Sequence, residues 1–183
     1  MAQFNLDPAH TSVAFSARHM MVTTVRGQFQ KASGTLDFDP ENPTNASVEV
    51  NIDASSLVSG VIDRDNHLRG TDFLDIETYP NITFKSTQIE PTGNDTANII
   101  GDLTIRGMTR PVTIKAEYLG QTNSPFGDVR AGFSGRTKIN REDYGLTWNM
   151  GLEAGGVLVG KEITIDLDVE AVKVAEPVPA AAV

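Results

Sequence analysis

Apolar and polar residues alternate with a period of two over most of the chain, and the alternation resolves into eight runs. The first, residues 11–22, puts Val13, Phe15, Ala17, His19 and Met21 on one face. The second, residues 26–39, carries Phe29, Leu36 and Phe38, and Gly34 in mid-run predicts a bulge or sharp bend. In the third, Val48, Val50, Ile52 and Ala54 alternate with Glu49, Asn51 and Asp53, so that one face is dry and the other wet. The remaining runs cover residues 81–90, 97–106, 111–120, 129–139 and 161–172. Turn-forming clusters such as Asp39-Pro40-Glu41-Asn42-Pro43 and Pro91-Thr92-Gly93-Asn94-Asp95 separate them. Long alternating strands joined by short turns predict an all-β chain, an antiparallel barrel or sandwich, and strands this long favour an extended eight-stranded antiparallel up-and-down barrel. A barrel of about eight strands is wide enough inside for side chains or one small ligand.

One stretch breaks the pattern. Residues 64–76, Arg-Asp-Asn-His-Leu-Arg-Gly-Thr-Asp-Phe-Leu-Asp-Ile, are densely charged and do not alternate. They predict a short helical insert, with Asp65 as its cap and Leu68, Phe73 and Leu74 laid over one end of the barrel. Arg64, Asp65 and Arg69 then read either as a salt-bridged outer surface or as the lining of a mouth that holds a polar headgroup. Residues 1–173 form the predicted barrel, and residues 174–183, small and with two prolines, a disordered tail.

Composition narrows the function. The 183 residues contain no cysteine, which removes disulfides, thiolate metal sites and cysteine nucleophiles. The net charge of −9 argues against nucleic-acid binding. No run approaches the length of a membrane span. The first residues lack a basic region and an apolar core, so the chain as it stands is expected in the cytoplasm, or in the periplasm if a leader has been removed.

Little in the chain points to catalysis. Its three histidines, His10, His19 and His67, lack the close spacing of a metal pair, and no nucleophile elbow, phosphate loop or dinucleotide fingerprint is present. Gly155-Gly156-Val157-Leu158-Val159-Gly160 is glycine-rich but leads into a strand, as a rim loop would. No cofactor and no metal is expected. Inward parity instead mixes aromatics with small residues, Ala17, Ala54, Ala97, Gly101, Ala116, Ala131 and Gly135. That mixture fits a long, thin cavity suited to an acyl or prenyl chain. At about 0.8 kcal/mol per buried methylene, against an association cost on the order of 4–15 kcal/mol, such a ligand needs roughly ten or more buried carbons.

The ordered blocks also carry a resemblance. Leu6-Asp7-Pro8-Ala9-His10-Thr11 with Arg18-His19-Met20, then Val25-Arg26-Gly27-Gln28-Phe29, open it. Arg64-Asp65-Asn66-His67-Leu68 with Asp72-Phe73-Leu74-Asp75, Tyr79-Pro80-Asn81-Ile82-Thr83-Phe84, and Gly101-Asp102-Leu103-Thr104-Ile105-Arg106-Gly107 continue it. Ile139-Asn140-Arg141-Glu142-Asp143-Tyr144-Gly145-Leu146-Thr147-Trp148 closes it. Together they resemble the YceI-like, lipocalin-like polyisoprenoid-binding proteins, with Phe4 where that family usually has tryptophan. The resemblance implies a lipocalin-like barrel with a central apolar pore, a polyisoprenoid or long-chain acyl lipid as partner, no catalysis, and a homodimer. The candidate pore wall is Phe15, Phe29, Phe38, Ile52, Phe84, Phe133 and Trp148, with His19, Arg64 and His67 at the headgroup end. Two alternatives stand beside it. One is an acid–base enzyme using His19 or His67 with a carboxylate such as Asp65; the other is a stress-related interaction module whose barrel is filled.

Overall fold

Three of the eight strands are each broken once, so the barrel contains eleven hydrogen-bonded segments. The computed structural model describes residues 1–175. Its strands are β1 (Ala2–Leu6), β2 (Ser12–His19), β3 (Thr23–Phe29), β4 (Ala32–Phe38), β5 (Ser47–Asp53) and β6 (Leu57–Val58). They continue as β7 (Asn81–Pro91), β8 (Thr96–Ile105), β9 (Met108–Asn123), β10 (Val129–Asn140) and β11 (Val159–Lys173). A single α-helix among the described residues, α1 (Ile62–Arg69), follows β6.

β1 and β2 run in the same direction along β11, with Leu6 opposite Ala171 and Phe15 opposite Ile165. They are two halves of one strand interrupted at residues 7–11. β4 pairs with β1 and β3 with β2, so β3 and β4 form the second strand. β5 and β6 pair with β4 and β3 and form the third, broken by the 3-10 turn Ala54–Ser56. The breaks in strands two and three stay tied, since Gln30 donates its N–H to the Ser56 carbonyl at 3.1 Å and Asp53 to that of Lys31 at 3.0 Å. With the halves rejoined, spatial order follows chain order, and β11 closes onto the first strand. The predicted eight-stranded antiparallel up-and-down barrel is the observed fold, and closure pairs the edges that an open sheet would leave bare.

The second run does not bend at Gly34. It breaks at residues 30–31, and Gly34 sits in unbroken register between Ser33 and Thr35. Glycine is required there for another reason: a Cβ would lie 2.3 Å from the Glu49 carbonyl oxygen and 3.0 Å from Leu6 Cδ1. Bulges occur instead where the pairing skips Thr87 and Leu119. The Thr87 bulge reverses the parity of β7, and Phe84 before it and Ile89 after it both line the interior.

The helix begins two residues before the predicted insert. Val61 is its N-cap, without a side-chain bond, so Asp65 is not the cap. Asp65 lies in the first turn and reaches back to the preceding loop, accepting from Ser59 N–H at 2.9 Å and from the Ser59 hydroxyl. Its charge and that of Asp63 still face the positive end of the helix dipole. Phe73 and Leu74 are buried in the larger apolar cluster, with Ile52, Phe84, Leu103 and Leu146, and cap one end as expected. A second cluster, Phe4, Leu6, Leu36, Phe38, Ala131 and Ala171, lies in the other half. Of the predicted tail, Val174 donates its N–H to the Gln3 carbonyl at 2.8 Å, while residues 176–183 lie outside the described residues.

An apolar cavity along the barrel as candidate functional site

Alternation of apolar and polar residues on every strand gives the barrel an apolar interior, and packing does not fill it. A cavity of about 490 Å³ runs from the helix end to the turn that joins β7 to β8. That volume falls in the range of roughly 300–1,000 Å³ usual for small-molecule sites. All seven predicted pore-wall residues, Phe15, Phe29, Phe38, Ile52, Phe84, Phe133 and Trp148, line it. So do His19, Arg64 and His67, all three at the helix end.

The small residues have two different uses. Ala97 pairs with Ala116, and Ala116 with Gly135, forming a belt of small side chains across three adjacent strands. All three line the cavity and leave its wall thin at that level. Gly101 instead makes room for a neighbour, since a Cβ there would meet the Phe84 ring at 2.5 Å. Ala54 and Ala131 are buried in the packed clusters.

Aromatic contacts shape both ends. Phe38, Tyr118 and Phe133 form one cluster, with Phe38 and Phe133 edge-to-face at a centroid distance of 5.2 Å. Burial, and then the charge of Asp95, push the Tyr118 phenol above its usual range. At the helix end the His67 ring stands edge-on to Trp148 at 4.6 Å and to Phe73 at 5.1 Å. His67 Nε2 is 2.9 Å from Asp72 Oδ2, so Asp72, not Asp65, is its carboxylate partner. Arg64 donates from Nε to Ser59 Oγ and from Nη2 to the Ser59 carbonyl, each at 2.7 Å. Burial alone would raise the Asp65 carboxyl, but the Ser59 bonds and the charges of Arg69 and Arg64 outweigh it and hold the group below its usual value.

Arg141 also lines the cavity and was not singled out from the sequence. It is 2% exposed, lies at the helix end, and donates to the carbonyls of Gly160 at 2.9 Å, Val159 at 3.3 Å and Leu146. Burial lowers its pKa. It lies two residues beyond inward-facing Ile139, so alternation carried one step past the end of β10 points to it.

Away from the cavity, Asp7, His10 and Glu170 converge closely enough to hold a cation. Arg130 already fills that role. Its guanidinium donates to Asp7 at 2.9 Å and to Glu170, and His10 Nδ1 lies 3.0 Å from Asp7.

Known proteins match this architecture. A UPF0312 protein of Vibrio cholerae is 41% identical over 138 residues, covering 75% of this chain and 73% of its own. One of Shewanella denitrificans is 38% identical over 165 residues, covering 90% and 83%. Among solved structures, BcnA of Burkholderia cenocepacia superposes with a TM-score of 0.78 at 26% identity, covering 90% of this chain and 98% of its own. A polyisoprenoid-binding domain from Saccharophagus degradans, implicated in plant cell wall breakdown, shares the fold, with a TM-score of 0.72 at 14% identity, covering 95% and 100%. The model of the YceI-like domain matches residues 4–171, and the chain belongs to the YceI-like family.

Proposed function

We propose that this protein binds a long-chain isoprenoid or related amphiphilic lipid in the barrel cavity, as a carrier, store or sequestering protein. The observation that carries the reading is the continuous apolar wall along the barrel, with cations and imidazoles gathered at one end only. A chain threads past the Ala97–Ala116–Gly135 belt, and a polar headgroup meets His19, Arg64 and His67, with Arg141 beneath them. The kinship in fold with a polyisoprenoid-binding domain supports the ligand class. For the acid–base alternative, Asp65 is engaged by Ser59, and the carboxylate that meets His67 is Asp72, in a pair of which each side chain is more than 40% exposed. We propose a non-catalytic role, and a homodimer on the strength of the family relation alone.

Native mass spectrometry of the purified protein is the direct test, and a co-purified lipid is the expected result. Ala116→Phe, which fills the belt, should lower lipid affinity by roughly tenfold or more while the protein stays folded. Unchanged affinity in that variant, or a ligand-free mass under gentle conditions with no uptake of added polyprenol, would sink the reading.

A further inference from the structure

Between Asp7 and Asp37 the chain carries Arg18, Arg26 and Lys31 and no carboxylate, whereas the rest of this acidic protein holds 12 basic residues (15 less 3) against 24 acidic ones. That segment contains the β2–β3 hairpin, which stands at the helix end of the barrel. Beyond Gln28 the β3 edge of the hairpin is unpaired, since β6 meets β3 only at Gln28 and Phe29, while its β2 edge stays on β11. Its tip is Met20, Met21 and Val22, all exposed.

The tip is an odd place for methionine. Both Met20 and Met21 have positive φ, 50° and 65°, in a turn closed by the Val22 N–H on the His19 carbonyl at 3.1 Å. Hairpin turns of that kind ordinarily take Asn-Gly. The next layer continues the apolar surface. Met20 donates to the Leu158 carbonyl and Leu158 to that of Met150, and Met150 is also exposed. Val61 and Ile62, at the start of α1, are exposed at the same end, Ile62 by 77%. Six of the eleven most exposed large apolar side chains among the described residues therefore come from three segments that end together. Arg18, His19, Val25 and Arg64, between these segments, line the cavity.

We propose that this end docks on an anionic phospholipid bilayer, with the methionine tip among the acyl chains and Arg18 and Arg26 against the phosphates. Separate apolar tips suit a fluid interface, which fills the gaps between them. A second copy of this chain would need a flat matching face. Cations flanking an apolar tip, on the longest stretch without acidic residues, match an anionic surface and oppose the net charge of the rest of the molecule. The cavity mouth then faces the bilayer. That docking loads the cavity rests on the lipid-binding proposal; docking itself does not.

Flotation with phosphatidylglycerol–phosphatidylcholine vesicles tests it, alongside pure phosphatidylcholine vesicles. Binding to the anionic vesicles is expected, weakened by high salt. Met20→Asn/Met21→Gly should lose roughly tenfold or more of that binding while its melting temperature rises, because the turn gains its preferred residues. Arg18→Gln/Arg26→Gln should remove the preference for anionic lipid. Uptake of polyprenol offered in detergent micelles, which bypasses docking, should not change in the methionine variant when read by native mass spectrometry. No binding to anionic vesicles, or equal binding by the methionine variant, overturns the docking proposal even if lipid is found in the cavity. Dissociation of a dimer by the methionine variant without loss of a vesicle interaction also overturns it and assigns the tip to a second copy.

Discussion

Tyr144 shows how one polar atom can be out of balance in an otherwise satisfied interior. The side chain is 1% exposed, and its hydroxyl is the only buried side-chain polar atom without a hydrogen-bond partner among the described residues. Burial, with Asp143 nearby, pushes its pKa up to about 12. Because the hydroxyl gives up its hydration without a replacement, Tyr144→Phe should leave stability unchanged or raise it by about 1 kcal/mol in chemical denaturation. Asp65 is the opposite case. Its carboxylate ties the Ser59 loop to the helix between Arg64 and Arg69, and Asp65→Asn should cost about 2 kcal/mol, a melting-temperature loss of roughly 4–8 °C. Its folded pKa is depressed, so this contribution is present above the ordinary carboxylate range and is lost as the pH falls through the lower folded value.

Elements follow the alternation closely, except where a tertiary contact overrides it. All eight runs became strands because each presents a dry face for the barrel to close over. Asp7-Pro8 marks the first break as a turn, and the other two left no local sign. Residues 7–11 interrupt the first strand, and Asp7, His10, Arg130 and Glu170, up to 163 residues apart, hold the break together. No window of sequence contains that network. Nor could the pattern tell Gly34, needed for a close backbone approach, from a bend, since both call for glycine. The network has its own pH signature. The hydrogen bond to Asp7, then the charges of Asp7 and Glu170, raise the His10 pKa above 6.5. The tie therefore contributes fully below about pH 6.5 and fades as the pH rises through the folded value. In an NMR titration His10 should have a midpoint above 6.5, and the melting difference between wild type and His10→Gln should shrink from about pH 6 to pH 9.

Across the whole molecule, what parity could place and what it could not are cleanly divided. The ten residues picked out as pore wall or headgroup end all line one cavity: seven because inward parity on a closed sheet leads to a single interior, and Arg64, His67 and Trp148 from the helix and the segment before β11. Their roles toward a ligand are a separate matter, and the variants proposed above address it. Parity could not show which small residues leave space. Gly101 lies under the Phe84 ring, while Ala97, Ala116 and Gly135 border the cavity, and the difference depends on cross-strand register. Arg141 was passed over because it follows β10 in a short turn, where alternation had been taken to stop, although one further step of the same parity reaches it.

The seam between the first and last strands sets an order on how the molecule comes into being. β11 pairs with β1 and β2 on one side and with β10 on the other, so the earliest and latest segments of the chain complete one wall together. During synthesis the first seven strands can form a curved meander, but their apolar concave face stays open to water until the final strand emerges. The interior is thus a property of the finished chain, and the nascent protein must pass through an interval as an unsealed sheet with two bare edges. Closing contacts of such long sequence separation form late and slowly. The half-made barrel is most exposed to aggregation during that interval.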